Sequence, residues 1–145
     1  MKKLAFCLLM LALTGCKAAN IAKTDSGVPA TDNPIKEVTP VEAETAVSKA
    51  YSQFIDVRTP EEYSAGHAAR AVNIPLDTLP SSLDRLEKNE PVYLICESGG
   101  RSMQAATFLK NAGFKDLFNV TGGTAAWIAA VLPTEASETA CAVTK

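Results

Sequence analysis

Tyr93-Leu94-Ile95-Cys96-Glu97-Ser98-Gly99-Gly100-Arg101-Ser102 is the stretch that decides how this chain reads. The apolar run from Val92 to Ile95 stops at a cysteine, a short loop with two glycines and an arginine follows, and a helical pattern begins at Ser102. That layout places a thiol at the carboxyl end of a buried strand, where ligands of open α/β sheets bind. Gly99 and Gly100 let backbone N–H groups turn inward, the helix start adds partial positive charge, and Arg101 adds a full one. Such surroundings favour the thiolate, which is the nucleophilic form. A buried structural cysteine is the plainer reading, because free Cys packs like a small hydrophobe. A filler residue, however, has no use for the glycines and the arginine beside it. Cys96 is therefore the candidate catalytic residue, with Glu97, Ser98, Gly99, Gly100, Arg101 and Ser102 as the substrate-binding loop.

Outward from this loop, strand and helix signals alternate. Residues 35–38 form a possible short strand. Thr39-Pro40-Val41-Glu42 combines an N-cap, a proline at the first helical position and a Glu three after the cap, so a helix runs to about residue 50. Residues 53–57 are an apolar strand, and Thr59-Pro60-Glu61-Glu62 repeats the capping box before a short helix ending near Gly66. Residues 71–74 are a strand closed by Pro75. Leu79, Leu83 and Leu86 share one helical face. The strand at 91–96 carries the thiol, a helix spans 102–112 and ends at Gly113, the last strand is 116–120, and the last helix is 124–131. This alternation predicts an α/β fold, a mainly parallel sheet with helices on both faces.

The 145 residues, 47% hydrophobic and 21% charged, bound one small domain with tails. A net charge of −2, with no basic cluster beyond the first three residues, argues against a nucleic-acid partner. Lys2 and Lys3 precede an apolar stretch, residues 4–13, that is too short to span a bilayer and is flanked like a secretory signal. It ends in Leu13-Thr14-Gly15-Cys16, which resembles the lipobox of bacterial lipoproteins, where cleavage precedes the cysteine and its sulfur takes a lipid. An ordinary signal peptide with an incidental Cys16 is the alternative. The expected organisation is a signal peptide at 1–15, a lipidated Cys16 and flexible tether through 33, a domain at 34–133 and a polar tail at 134–145. The tether would hold the domain roughly 20–25 Å from its anchor. Three acyl chains, as that resemblance implies, exceed the two membrane signals that stable anchoring needs. The expected location is the bacterial cell envelope, on the periplasmic or extracellular face.

Cys7 falls within the signal, so Cys96 and Cys141 are the thiols left to the domain and its tail. Export makes a disulfide between them conceivable, with a thiol–disulfide role as one alternative function. Cys141 lies in a tail that reads as disordered, and the bond would block the nucleophile, so a free Cys141 is preferred. With one histidine in the chain, neither a zinc site nor any cofactor is expected.

From residue 38 to residue 133 the chain resembles a single-domain rhodanese, a sulfurtransferase. The resemblance rests on Ile55-Asp56-Val57-Arg58-Thr59-Pro60-Glu61-Glu62-Tyr63 with Gly66-His67, on Ala71-Val72-Asn73-Ile74-Pro75, and on the Cys96 loop. Gly113-Phe114, Val120, Gly122-Gly123 and Trp127 complete it. It implies a three-layer α/β/α domain, with a five-stranded parallel sheet in the order 3-2-4-5-1, and Cys96 as the persulfide-forming residue. Where that family usually reads Gly-His-Ile-Pro-Gly-Ala, this chain has Gly66-His67-Ala68-Ala69-Arg70-Ala71, and loss of the Pro and second Gly should alter the turn. Phosphatases and arsenate reductases of the same fold separate cysteine and arginine by five residues. Here the four residues from Glu97 to Gly100 intervene, a tighter cradle that favours one terminal sulfur over a tetrahedral phosphate.

The expected partners are a small sulfur-containing anion or persulfide as donor and a thiol or cyanide as acceptor, handled by a monomer. Arg101 would orient the donor anion. Asp56 and Arg58 lie at the same sheet edge and would support the loops by pairing. His67 reads as structural, Trp127 as core, and Gly122-Gly123 as a tight turn into the last helix. Glu97 puts a negative charge beside an anion-binding loop. Against a dianion such as thiosulfate that costs about 1–2 kcal/mol at roughly 7 Å, which favours persulfide donors unless the side chain points into solvent.

Overall fold

The computed structural model describes residues 33–136. The signal segment, Cys16, nearly all of the tether, and Cys141 with most of the tail lie outside the described residues. Among the described residues, no helix is long and apolar enough to cross a membrane.

Strand β1 (Lys36–Val38) leads into α1 (Pro40–Lys49), then β2 (Gln53–Asp56), α2 (Pro60–Ala65), the two-residue β3 (His67–Ala68) and β4 (Val72–Asn73). A 3-10 helix (Leu79–Arg85) precedes β5 (Val92–Ile95), α3 (Gly100–Asn111), β6 (Leu117–Val120), α4 (Gly123–Ala129) and β7 (Thr134–Glu135). The main sheet is parallel throughout, ordered β1-β6-β5-β2-β4. Read from its other edge, this is the order 3-2-4-5-1 of the five principal strands. The fold is the α/β architecture that the alternating signals predict.

Side-chain alternation assigns the strands to two cores. Phe54, Tyr93, Ile95 and Val120 pack with Ala43 and Trp127 on the side of α1 and α4. Ile55, Val92, Leu94, Cys96 and Leu117 pack with Ala105, Ala106 and Leu109 of α3 on the other. Cys96 keeps the two-residue period of Val92 and Leu94, so its side chain points under α3 rather than away from it. All four residues of β5 are buried, as a central parallel strand requires.

Both capping boxes form: Thr39 caps the amide of Glu42 and Thr59 that of Glu62, and each Glu returns a bond to its cap amide. The three leucines do face the core, but from a 3-10 helix ending at Arg85, with Leu86 just beyond it. Helix α3 begins at Gly100, two residues earlier than its pattern predicts.

Two differences concern the segment after α2. The altered turn persists without the usual glycine: the Ala71 amide donates to the Ala68 carbonyl at 3.0 Å, and Arg70 adopts φ +69°. A left-handed conformation at a non-glycine residue costs roughly 1–2 kcal/mol, so the surrounding pairing must hold it. That pairing includes a second small sheet, because Thr134–Glu135 lies antiparallel to His67–Ala68. The segment read as a polar tail thus starts with two paired residues. The Trp127 indole fastens it further, donating to the Pro133 carbonyl at 2.9 Å.

Candidate active site

Strand β5 delivers Cys96 to the sheet edge, and the loop folds back over its sulfur. Gly99 takes φ +99°, which turns its amide onto Sγ at 3.1 Å. The Ser102 hydroxyl, from the first turn of α3, sits 3.3 Å from Sγ and 3.0 Å from the Gly99 carbonyl. Burial pushes the Cys96 thiol up, but hydrogen bonds from the Ser102 hydroxyl and from the amides of Ser102, Ser98 and Gly99 outweigh it, and the net direction is down. A cysteine 1% exposed is thereby held closer to the thiolate.

The loop can aim its amides inward because its carbonyls are taken up elsewhere. The Thr124 amide donates to the Cys96 carbonyl at 2.7 Å and the Ala125 amide to the Glu97 carbonyl at 3.2 Å, so the start of α4 grips the outer side of the cradle. This needs close backbone approach. Gly123 sits at φ +55°, and a side-chain carbon there would collide with the Cys96 carbonyl and the Glu97 backbone. The Gly122-Gly123 pair is more than a turn into the last helix.

The charged residues beside the loop are paired with one another. Arg101 makes two 2.7 Å bonds to the Glu62 carboxylate. Its hydrogen bonds hold Glu62 down from 4.5 to about 2. Arg58, 4% exposed, is forked onto Asp56 by its Nε and Nη2 and donates to the Gly66 carbonyl at 2.8 Å. Burial opposes the Arg58 charge, yet the Asp56 bonds and charges carry it upward. Glu97 leans to within 3.4 Å of Arg58 while remaining half exposed, so it faces neither the sulfur nor solvent alone. Asp56 and Arg58 are thus paired with each other, and Arg58 ties the pair to the Gly66 carbonyl.

His67 is structural in its surroundings. Its ring stacks on Tyr63 with centroids 3.6 Å apart, and Nδ1 lies 2.8 Å from the Tyr63 carbonyl. Trp127 is fully buried against Phe54. Among the described residues, no group of three His, Cys, Asp or Glu is placed to hold a metal. The sequence reading missed Glu62 as a partner of the loop and Gly123 as its contact. The capping box signalled the first only as a helix start, and nothing local signals the second.

A family model for the rhodanese-like domain matches residues 39–130. The chain belongs to the rhodanese-like domain family. It is 38% identical over 96 residues to thiosulfate sulfurtransferase 16, chloroplastic, of Arabidopsis thaliana, covering 58% of this chain and 80% of that protein. It is 35% identical over 108 residues to rhodanese-like domain-containing protein 15, chloroplastic, of the same plant. There the match covers 66% of this chain but only 59% of the relative's length. Among solved structures, a rhodanese-like domain protein from Staphylococcus aureus superposes with a TM-score of 0.59 at 36% identity, covering 64% of this chain and 91% of that one. Proteins named thiosulfate sulfurtransferase thus stand among the relatives of this rhodanese-like domain.

Proposed function

We propose that this rhodanese-like protein is a sulfurtransferase that carries sulfane sulfur as a persulfide on Cys96. The observation that carries the reading is the pair of donors on Sγ, the Gly99 amide at 3.1 Å and the Ser102 hydroxyl at 3.3 Å. Donors so placed favour an anion at the strand end, whether on Sγ or on a second sulfur attached to it. The four-residue spacing to Arg101 and the relatives' names favour sulfur over phosphate as the group handled.

The Cys96 thiolate attacks the outer sulfur of a donor such as thiosulfate. The new S–S bond forms as the donor's own S–S bond breaks, and sulfite leaves with the electron pair. A thiophilic acceptor, cyanide or a thiol, then attacks the terminal sulfur and returns the electron pair to Cys96. No cofactor is required by this balance.

The test is an intact mass taken after incubation with thiosulfate and again after cyanide. A gain of one sulfur atom that cyanide removes, absent from Cys96→Ser, is expected. An adduct that survives the substitution would move the chemistry to another thiol.

The lipobox-like Leu13-Thr14-Gly15-Cys16 supports a second part of the proposal, anchoring of the domain in the bacterial envelope through a lipid on Cys16. Expressed in a bacterium, the protein should pellet with membranes and label with a fatty-acid probe, and Cys16→Ala should lose both. An unlabelled wild type released into the periplasm would identify an ordinary signal peptide.

A further inference from the structure

A groove of about 570 Å³ opens beside the cysteine loop. Its apolar lining comes from Val57, Pro60, Pro75 and Leu76, Arg101 forms part of the wall, and Glu61 of α2 and Asp77 of the turn before the 3-10 helix stand on it. The groove neighbours the site: Arg101 in the first turn of α3 follows the Cys96 loop directly, and Val57 packs in the same buried cluster as Cys96.

Size and charge together select what fits. The space is far larger than cyanide or thiosulfate needs and lies in the range of sites that bury an organic ligand. An apolar lining favours carbon rather than a hydrated anion. Neither arginine near the loop offers an open positive charge. Arg101 is forked onto Glu62, and Arg58 is bound by Asp56 with Glu97 beside it. Glu61 and Asp77 are both exposed, and no lysine or histidine lines the groove. Glu62 answers the one arginine that lines the groove, so Glu61 and Asp77 leave the uncompensated charge there negative.

Resting on the persulfide reading above, we infer that this groove receives the sulfur acceptor, and that the acceptor is a cysteine in a polypeptide segment with basic residues beside it. A low-mass aminothiol would leave most of the groove unfilled. A segment with one apolar neighbour and basic flanks covers the apolar lining and meets Glu61 and Asp77 at once. The cysteine thiolate of the segment attacks the terminal sulfur of the Cys96 persulfide. A bond forms between those two sulfurs, the bond to Sγ breaks, and the electron pair returns to Sγ, where the Gly99 amide and Ser102 hydroxyl receive it. The segment departs as a persulfide, and no oxidant or reductant is consumed.

The experiment uses the full chain and three peptides of equal length, each with one cysteine beside a leucine and flanked by Lys, Ser or Glu. After loading with thiosulfate, transfer to each peptide is followed by mass and divided by the rate of transfer to cyanide. The Lys peptide should exceed the Glu peptide by about tenfold at low salt, and the gap should narrow as salt rises. In the double variant Glu61→Gln, Asp77→Asn the gap should fall to about twofold. Both positions are exposed, and a melting curve verifies that the variant is folded. Equal transfer to all three peptides, or a preference that survives the double variant, overturns the inference. Anisotropy binding of fluorescent peptides with Ser in place of Cys separates docking from chemistry. Charge-selective binding without any persulfide on Cys96 would sink the sulfur-transfer reading and leave the docking site standing. Charge-blind binding would sink the docking site whatever the chemistry does.

Discussion

Glu62 and Arg101, 39 residues apart in sequence, meet through two parallel bonds of 2.7 Å. The same carboxylate accepts the Thr59 amide at 3.1 Å, so the box that starts α2 also ties that helix to the head of α3. The arginine of the cysteine loop is thus a strut between two helices, and its charge is already answered before any substrate arrives. The cradle around Sγ is built instead from backbone amides and one hydroxyl.

Glu62→Gln should make the protein less sensitive to acid. A carboxyl depressed from 4.5 to about 2 contributes stability that is present above 4.5 and is lost as pH falls through about 2. Both side chains of the pair are 35% exposed, so solvent screening limits the contribution to about 0.5–1 kcal/mol at neutral pH. Melting temperatures of wild type and variant should differ at pH 7 and converge toward pH 2. Parallel curves would show that the pair contributes nothing to the fold.

Ser102→Ala should raise the Cys96 thiol, because it removes the first of the contacts that oppose burial. The inflection in a pH profile of iodoacetamide alkylation reports this directly. Arg101→Ala should move the same inflection less, since Glu62 neutralises that guanidinium. A larger shift from Arg101→Ala than from Ser102→Ala would mean that long-range charge, not the local donors, sets the acidity.

Gly123→Ala should destabilise by at least about 2 kcal/mol, combining a left-handed backbone with a collision against the Cys96 carbonyl. Gly100→Ala is the contrasting change. Gly100 heads α3 with open space around it, so alanine there should be neutral or stabilising by up to about 1 kcal/mol. Urea midpoints of the two variants provide the comparison. A tolerated Gly123→Ala would show that the cradle does not depend on close contact with α4.

The sequence by itself determined the principal elements and the position of the candidate cysteine. Apolar runs placed the five strands of the main sheet, the two Thr-Pro-x-Glu boxes placed α1 and α2, and the run ending at Cys96 put the thiol at the carboxyl end of its strand. These are local signals, carried by neighbouring side chains and backbone, and they survive in a one-dimensional reading. The strand order 3-2-4-5-1 came from resemblance to a family, since nothing local orders parallel strands.

Only the tertiary structure decided which partner each charge takes. Arg101 looks like a free cation beside an anion loop until α2 brings Glu62 alongside it, and Glu97 reads as unpaired until Arg58 is placed 3.4 Å away. Glycine pairs announce a turn, but whether a Cβ would strike a carbonyl depends on a neighbouring loop that approaches from a distant strand. The pairing of Thr134–Glu135 with His67–Ala68 is invisible for the same reason. A two-residue strand has no periodicity of its own and exists only because folding sets its partner beside it.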